Sequence, residues 1–183
     1  MFALQRWDVQ PDLMVMAKGI TSAYFPFGGV AFSQEVYDAL KGTMVQGYTY
    51  SGQPTGAAAA LKTMEIYIRE KVAENALSVG KHIFDRLNKE FKSLPVVGNV
   101  SGLGLMIGIE IVADKTTRKP FDPSVDVATK IPAEALKAGL SLRAIPAAVA
   151  AGDSVQFCPP LVISVKEADR ALDILYPILA NLK

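Results

Sequence analysis

Residues 12–29 run DLMVMAKGITSAYFPFGG: an aspartate, five apolar residues, a lysine, a glycine, then small and turn-forming residues. The continuous apolar run Leu13–Ala17 predicts a buried strand. Lys18 and Gly19 end it, and a loop leads to a second apolar run, Gly28–Phe32, a second predicted strand. A lysine just past the carboxyl end of a strand stands where ligands gather in open α/β sheets. Once desolvated, its amine can form a Schiff base with a carbonyl. On position alone, a solvated lysine is the commoner outcome.

Outward from this stretch the pattern turns helical. Ser33 is a good N-cap for a short helix over Gln34–Leu40, closed by Gly42. After a second glycine-bearing loop, Gly47–Gln53, Pro54 stands where a helix favours proline. Apolar residues then recur at helical spacing from Leu61 to Phe91, predicting one long element or two joined by a bend near Glu74–Gly80. Beyond Pro95 the period changes. Strands are predicted over Leu105–Ile111, Leu140–Ala144 and Val155–Cys158, with a helix over Asp126–Ala138 that Pro132 should kink or shorten. Ser164 and Glu167 form a capping box that opens a final amphipathic helix. The expected organisation is an α/β part over residues 1–94, including the connecting helix, and a small α+β domain over residues 95–183.

Composition narrows the chemistry. The 183 residues are 50% hydrophobic and 20% charged, with 19 Lys+Arg against 18 Asp+Glu. That balance predicts a sizeable core and gives no electrostatic grip on nucleic acid or an anionic membrane. One cysteine, Cys158, allows no internal disulfide and no cysteine-based zinc cage. One histidine, His82, allows no histidine cluster, so no metal site is expected. No apolar run approaches the ~20 residues that span a bilayer, and the first ten residues lack a secretory pattern. The expected compartment is the cytoplasm. His82 reads as solvated and Cys158 as a small buried residue; Trp7, Tyr24, Phe25 and Tyr50 read as packing or interface residues. The glycines at 102, 104 and 108 have the wrong spacing and setting for a dinucleotide fingerprint.

Four segments, in order, resemble those of class III aminotransferases, pyridoxal-phosphate enzymes of fold type I. Asp12–Gly29 is similar to the family's active-site lysine segment, and Tyr48–Pro54 (YTYSGQP) to its TYSGHP segment. Gly102–Glu110 (GLGLMIGIE) and Cys158–Ile163 (CPPLVI) resemble its small-domain strand and its later PPL segment. Ala23 departs from a common family glycine and Gln53 from a common histidine. The family's phosphate-binding glycine–serine cup, ring-stacking aromatic and pyridine-pairing aspartate come earlier in its members and have no match here. The expectation is therefore the carboxyl-terminal half of such an enzyme: part of the fold type I large domain plus a small α+β domain.

The resemblance implies roles residue by residue. Lys18 would bond covalently to pyridoxal 5'-phosphate and shuttle the proton. Thr49 would reach across a dimer interface to the phosphate of the partner's cofactor; alone it reads equally as an ordinary loop threonine. Arg143 would grip a substrate carboxylate; alone it reads equally as a surface arginine at a strand end. The implied reaction moves an amino group between an amine or amino acid and a keto acid. The implied assembly is a homodimer or association with the missing amino-terminal half. The alternatives are another class III chemistry, an aminomutase or a decarboxylase, and a truncated, non-catalytic chain that holds no cofactor.

Overall fold

A computed structural model describes residues 1–43, 47–147, 149 and 152–182. The chain forms two compact units, Met1–Lys71 and Val72–Lys183. Both mix helix and strand, as expected of an α/β protein.

The first unit contains β1 (Leu13–Met16), a 3₁₀ turn over Lys18–Thr21, β2 (Gly29–Phe32), α1 (Gln34–Leu40) and α2 (Pro54–Arg69). β1 and β2 pair antiparallel, Leu13 opposite Phe32 and Val15 opposite Val30. Ser33 caps α1 through its side chain, which accepts from the amide of Val36 at 3.3 Å. Pro54 begins α2 and Gln53 caps it, accepting from Gly56 at 2.8 Å. Gly56 allows α2 to start on the aromatic segment before β2: a Cβ there would fall 2.4 Å from the Phe27 ring and 3.1 Å from Phe25.

The predicted buried strand is not buried. Leu13, Val15, Val30 and Phe32 share one face of the two-stranded sheet, and Val15 is 80% exposed. Among the described residues, Tyr37 of α1 stacks on Phe32, its ring centroid 6.4 Å away, and the four side chains remain at least half exposed. Among its described residues only Thr21, Gly56, Ala60 and Thr63 are buried.

The second unit carries a full core. It comprises α3 (Val72–Lys89), β3 (Val97–Leu103), β4 (Met106–Ile111), α4 (Val127–Lys137), β5 (Arg143–Ile145), β6 (Asp153–Phe157) and α5 (Val165–Ala180). The strands form one antiparallel sheet in the order β3-β4-β6-β5. Ile107, Ile109, Val155 and Phe157 point to one face, where they meet Ile83 and Leu87 of α3, Ile131 of α4, and Leu172 and Leu175 of α5. Each such side chain stabilises the fold by about 1.5–3 kcal/mol relative to exposure. The opposite face bears half-buried and exposed residues, Gly108, Glu110, Ser154 and Gln156 among them.

Several boundaries differ from expectation. The long helical region breaks at Glu70–Lys71, where Lys71 takes φ 51°, rather than near Glu74–Gly80. Gly80 lies inside α3 because a loop backbone packs against it, not because the chain bends there. β3 was absent from the sequence reading: Gly98, Asn99, Ser101 and Gly102 favour strands poorly, and pairing with β4 holds it. α4 continues through Pro132 to Lys137. β5 and β6 start at Arg143 and Asp153, each displaced by two or three residues from the predicted runs.

Candidate active site

Lys18 follows β1 after one extended residue, Ala17, and takes a left-handed backbone at φ 52°. Ser22 at φ 50° and Ala23 at φ 64° are also left-handed. Three such non-glycine residues within six positions concentrate strain, as backbones at functional sites do. Ala23 occupies the position where the resembling family commonly has glycine, and its φ explains that preference. Two side chains hold the turn. The buried hydroxyl of Thr21 donates to the carbonyl of Phe25 at 2.6 Å, and Tyr67 of α2 donates to the carbonyl of Gly19 at 3.3 Å. The Lys18 side chain is exposed and enters none of the ion pairs among the described residues. A nearby cavity of about 430 Å³ is lined by Ser22, Tyr24, Thr63 and Tyr67 among others, not by Lys18.

Thr49 stands on a tight turn of the same unit. The amide of Tyr48 donates to Ser51 Oγ at 3.0 Å, and the amide of Ser51 donates to the Tyr48 carbonyl at 2.9 Å. Thr49 is exposed at the tip, flanked by Tyr48 and Tyr50, which are 80% and 85% exposed. Tyr24 and Trp7 are exposed as well, so packing within this unit is not their role.

Arg143 belongs to the second unit, at the start of β5 and directly opposite Gln156. Both border a cavity of about 530 Å³ whose walls include Leu142, Phe157, Pro159 and Ile163. Cys158 borders it too and is exposed, contrary to the buried expectation, because β6 ends one residue earlier. Asn75 of α3 fixes that wall: its amide donates to the carbonyls of Leu161 at 2.8 Å and Ile163 at 3.1 Å. Thr21, Tyr67 and Asn75 escaped the sequence reading; their partners are identifiable only in the folded chain.

The densest ionic cluster lies elsewhere, between α3 and α5. His82 Nε2 lies 2.7 Å from Asp169 Oδ1, so His82 is paired rather than merely solvated. Arg86 donates to Glu90, Asp169 and Asp173 at 2.7–3.0 Å. The His82 hydrogen bond, seconded by Arg86, holds the Asp169 carboxyl below the usual range, and Arg86 does the same for Glu90. A carboxylate can only accept, so Nε2 of His82 is the donor. No group of His, Cys, Asp and Glu among the described residues could hold a metal ion.

Comparison with known proteins is consistent along the whole chain. The family description "Aminotransferase class-III" matches residues 1–179. An uncharacterised aminotransferase of Sinorhizobium fredii is 41% identical over 176 residues, 93% of this chain and 37% of that protein. The diaminobutyrate–2-oxoglutarate transaminase of Halomonas elongata is 37% identical over 92% of this chain and 36% of its own. An amine transaminase from an uncultivated Pseudomonas species, solved in its PLP-bound form, superposes with a TM-score of 0.85 at 36% identity, covering 98% of this chain and 40% of the other. The chain thus spans a little over a third of the length of the curated relatives it matches.

Proposed function

The chain belongs to the class-III aminotransferase family, and on that premise we propose that it serves in transferring an amino group between an amine or amino acid and a keto acid, with pyridoxal phosphate as cofactor and Lys18 as its covalent anchor. The observation that carries the proposal is Lys18 itself: an exposed amine without an ion-pair partner among the described residues, on a strained turn past the end of a strand. A free primary amine suits a cofactor that carries an aldehyde, and an exposed hydroxyl on a separate turn suits the phosphate of one held by a second copy, so these two residues fit the parts of such a site that fall to this chain.

When bound, the cofactor supplies an electron sink for the carbon that carries the amine. The rest is asked of the chain. Lys18 Nζ takes up the proton lost from that carbon and releases it again; its primary amine, on a backbone held by Thr21 and Tyr67, can act as general base and then acid. Thr49 offers its hydroxyl to the phosphate of the cofactor held by a second copy. Arg143 offers a planar guanidinium to a substrate carboxylate.

The proposed assembly follows from the first unit. Its exposed face of Leu13, Val15, Val30 and Phe32 suits further polypeptide of the same fold or a second copy. Of the parts expected at 1–94 and 95–183, we take the first unit as cofactor-bearing and the second unit, whose core includes α3, as the substrate-side domain. Among the described residues no helix is long and apolar enough to cross a membrane, and we place the protein in the cytoplasm.

The test is Lys18→Arg in the enzyme that contains this chain. Turnover should fall by about 10³-fold, and the borohydride-sensitive absorbance band of the loaded enzyme should vanish. Undiminished turnover overturns the assignment.

A further inference from the structure

The face of the second unit's sheet that points away from the helices carries one transverse row. Ser101, Gly108, Gln156 and Arg143 stand in register on β3, β4, β6 and β5. Strand alternation fixes this, because Ile107, Ile109, Val155 and Phe157 point the other way and are at most 4% exposed.

Three features give the row a chemistry. Arg143 has no ion-pair partner among the described residues, so its donors are open to a ligand. Directly opposite it is an amide, not an acid; side chains so placed have Cβ atoms about 5 Å apart, close enough for both heads to meet one small group. Beside Gln156 the floor is bare: a Cβ on Gly108 would meet only Ser101, its Oγ at 3.7 Å and its carbonyl at 4.0 Å.

The neighbouring acids are otherwise engaged. Glu110, one row along on the same face, accepts from Arg118 at 2.6 and 2.8 Å. Glu167, which borders the same cavity as Arg143, accepts from Ser164 at 2.6 and 2.9 Å. An unneutralised guanidinium beside an amide, with an open floor next to the amide, makes a slot for a carboxylate.

We infer that Gln156 determines specificity for carboxylate-bearing substrates, its amide donating a second hydrogen bond to the carboxylate that Arg143 grips. The inference rests on the reading of Arg143 proposed above. Gln156 donates without adding negative charge, so the guanidinium keeps its full attraction for the substrate. A glutamate in its place would pair with Arg143 across the strands and compete with the ligand.

The experiment uses the whole enzyme with Gln156→Glu, Gln156→Leu and Arg143→Leu. Two donors are compared, an amino acid and a primary amine without a carboxylate. Gln156→Glu should raise KM for the amino acid about tenfold, with kcat and the KM of the simple amine within about twofold. Gln156→Leu, which loses the donor without adding charge, should fall between wild type and Gln156→Glu. An equal shift for both donors, or none with Gln156→Glu, overturns the inference. Binding of glutarate, followed by calorimetry, needs no turnover and separates the two readings. If Arg143→Leu weakens glutarate binding and the Gln156 variants do not, the role of Gln156 falls alone. If Arg143→Leu leaves it unchanged, the carboxylate reading of Arg143 falls and takes the inference with it.

Discussion

Gly80 should refuse even one added methyl. It is buried in the middle of α3, where alanine would ordinarily gain about 1 kcal/mol over glycine. Here a Cβ would sit 2.3 Å from the carbonyl carbon and oxygen of Gly104 and 2.6 Å from its Cα. These are backbone atoms and cannot rotate aside. Relief requires moving the β3–β4 turn by roughly an ångström, given the usual contact distance. That turn is pinned at both ends, by the pairing of Leu103 with Met106 and by Leu105, which is only 4% exposed. Overpacking costs about 1–3 kcal/mol where side chains can yield, and a backbone neighbour puts the cost at the top of that range. Set against the helix gain, Gly80→Ala should destabilise the second unit by about 2 kcal/mol. For a unit of this size that lowers the melting temperature by about 8–12 °C. Thermal and urea melts followed by circular dichroism measure it. A melting temperature unchanged or raised would show that helix propensity governs the position and that the loop contact is not a constraint.

Ala23→Gly should raise the melting temperature by a few degrees, since the left-handed backbone at φ 64° costs alanine about 1–2 kcal/mol and glycine gives back up to about 1 kcal/mol in unfolded-state entropy; a lowered melting temperature refutes it. The α3–α5 cluster should make the second unit acid-sensitive. Asp169 and Glu90 are held below their ordinary values of 3.8 and 4.5, so their contribution is complete above those values and is lost as pH falls through the lowered ones. Urea midpoints should be flat from about pH 7 to 5 and decline below about 4, less steeply in Asp169→Asn; equal slopes in the variant and wild type would exclude this pair as the cause.

What the sequence disclosed, it disclosed through short-range chemistry. Ser33, Pro54 and the Ser164–Glu167 box announce helix starts because each acts within about three residues of itself. Lys18 was legible from its neighbours on both sides. Its left-handed backbone was not, because nothing in an Ala-Lys-Gly sequence demands it. β3 was hidden because its strand character belongs to its pairing with β4. The apolar run Leu13–Ala17 correctly signalled a strand but not its exposure, since an apolar run records what a face wants and not what covers it. Asn75 and Tyr67 hold carbonyls 86–88 and 48 residues away, beyond any local pattern. Gly80 was misread as a bend for the same reason: its partner, Gly104, is distant in sequence.

The two units differ in how they could support a site. Arg143 and Gln156 sit on a sheet whose far face is packed by three helices, so their spacing is set by a core within the same unit. Lys18 has no such backing. Holding Lys18, Ser22 and Ala23 in left-handed backbone costs about 3–6 kcal/mol in all. The hydrogen bonds from Thr21 and Tyr67 return about 0.5–1.5 kcal/mol each, and the four buried residues among those described in the unit are a glycine, an alanine and two threonines, none of them a large apolar side chain. The deficit has to be met by burial, and the place for it is the face of Leu13, Val15, Val30 and Phe32. Those four side chains are 51–80% exposed, so covering what remains is worth about 1–2 kcal/mol each, of the same order as the strain. The lysine turn therefore gains its fixed geometry when that face is covered. Adding polypeptide that buries it should order Lys18 before any cofactor is present, measurable as slowed amide exchange at Gly19–Ser22; exchange unchanged on assembly would refute the coupling.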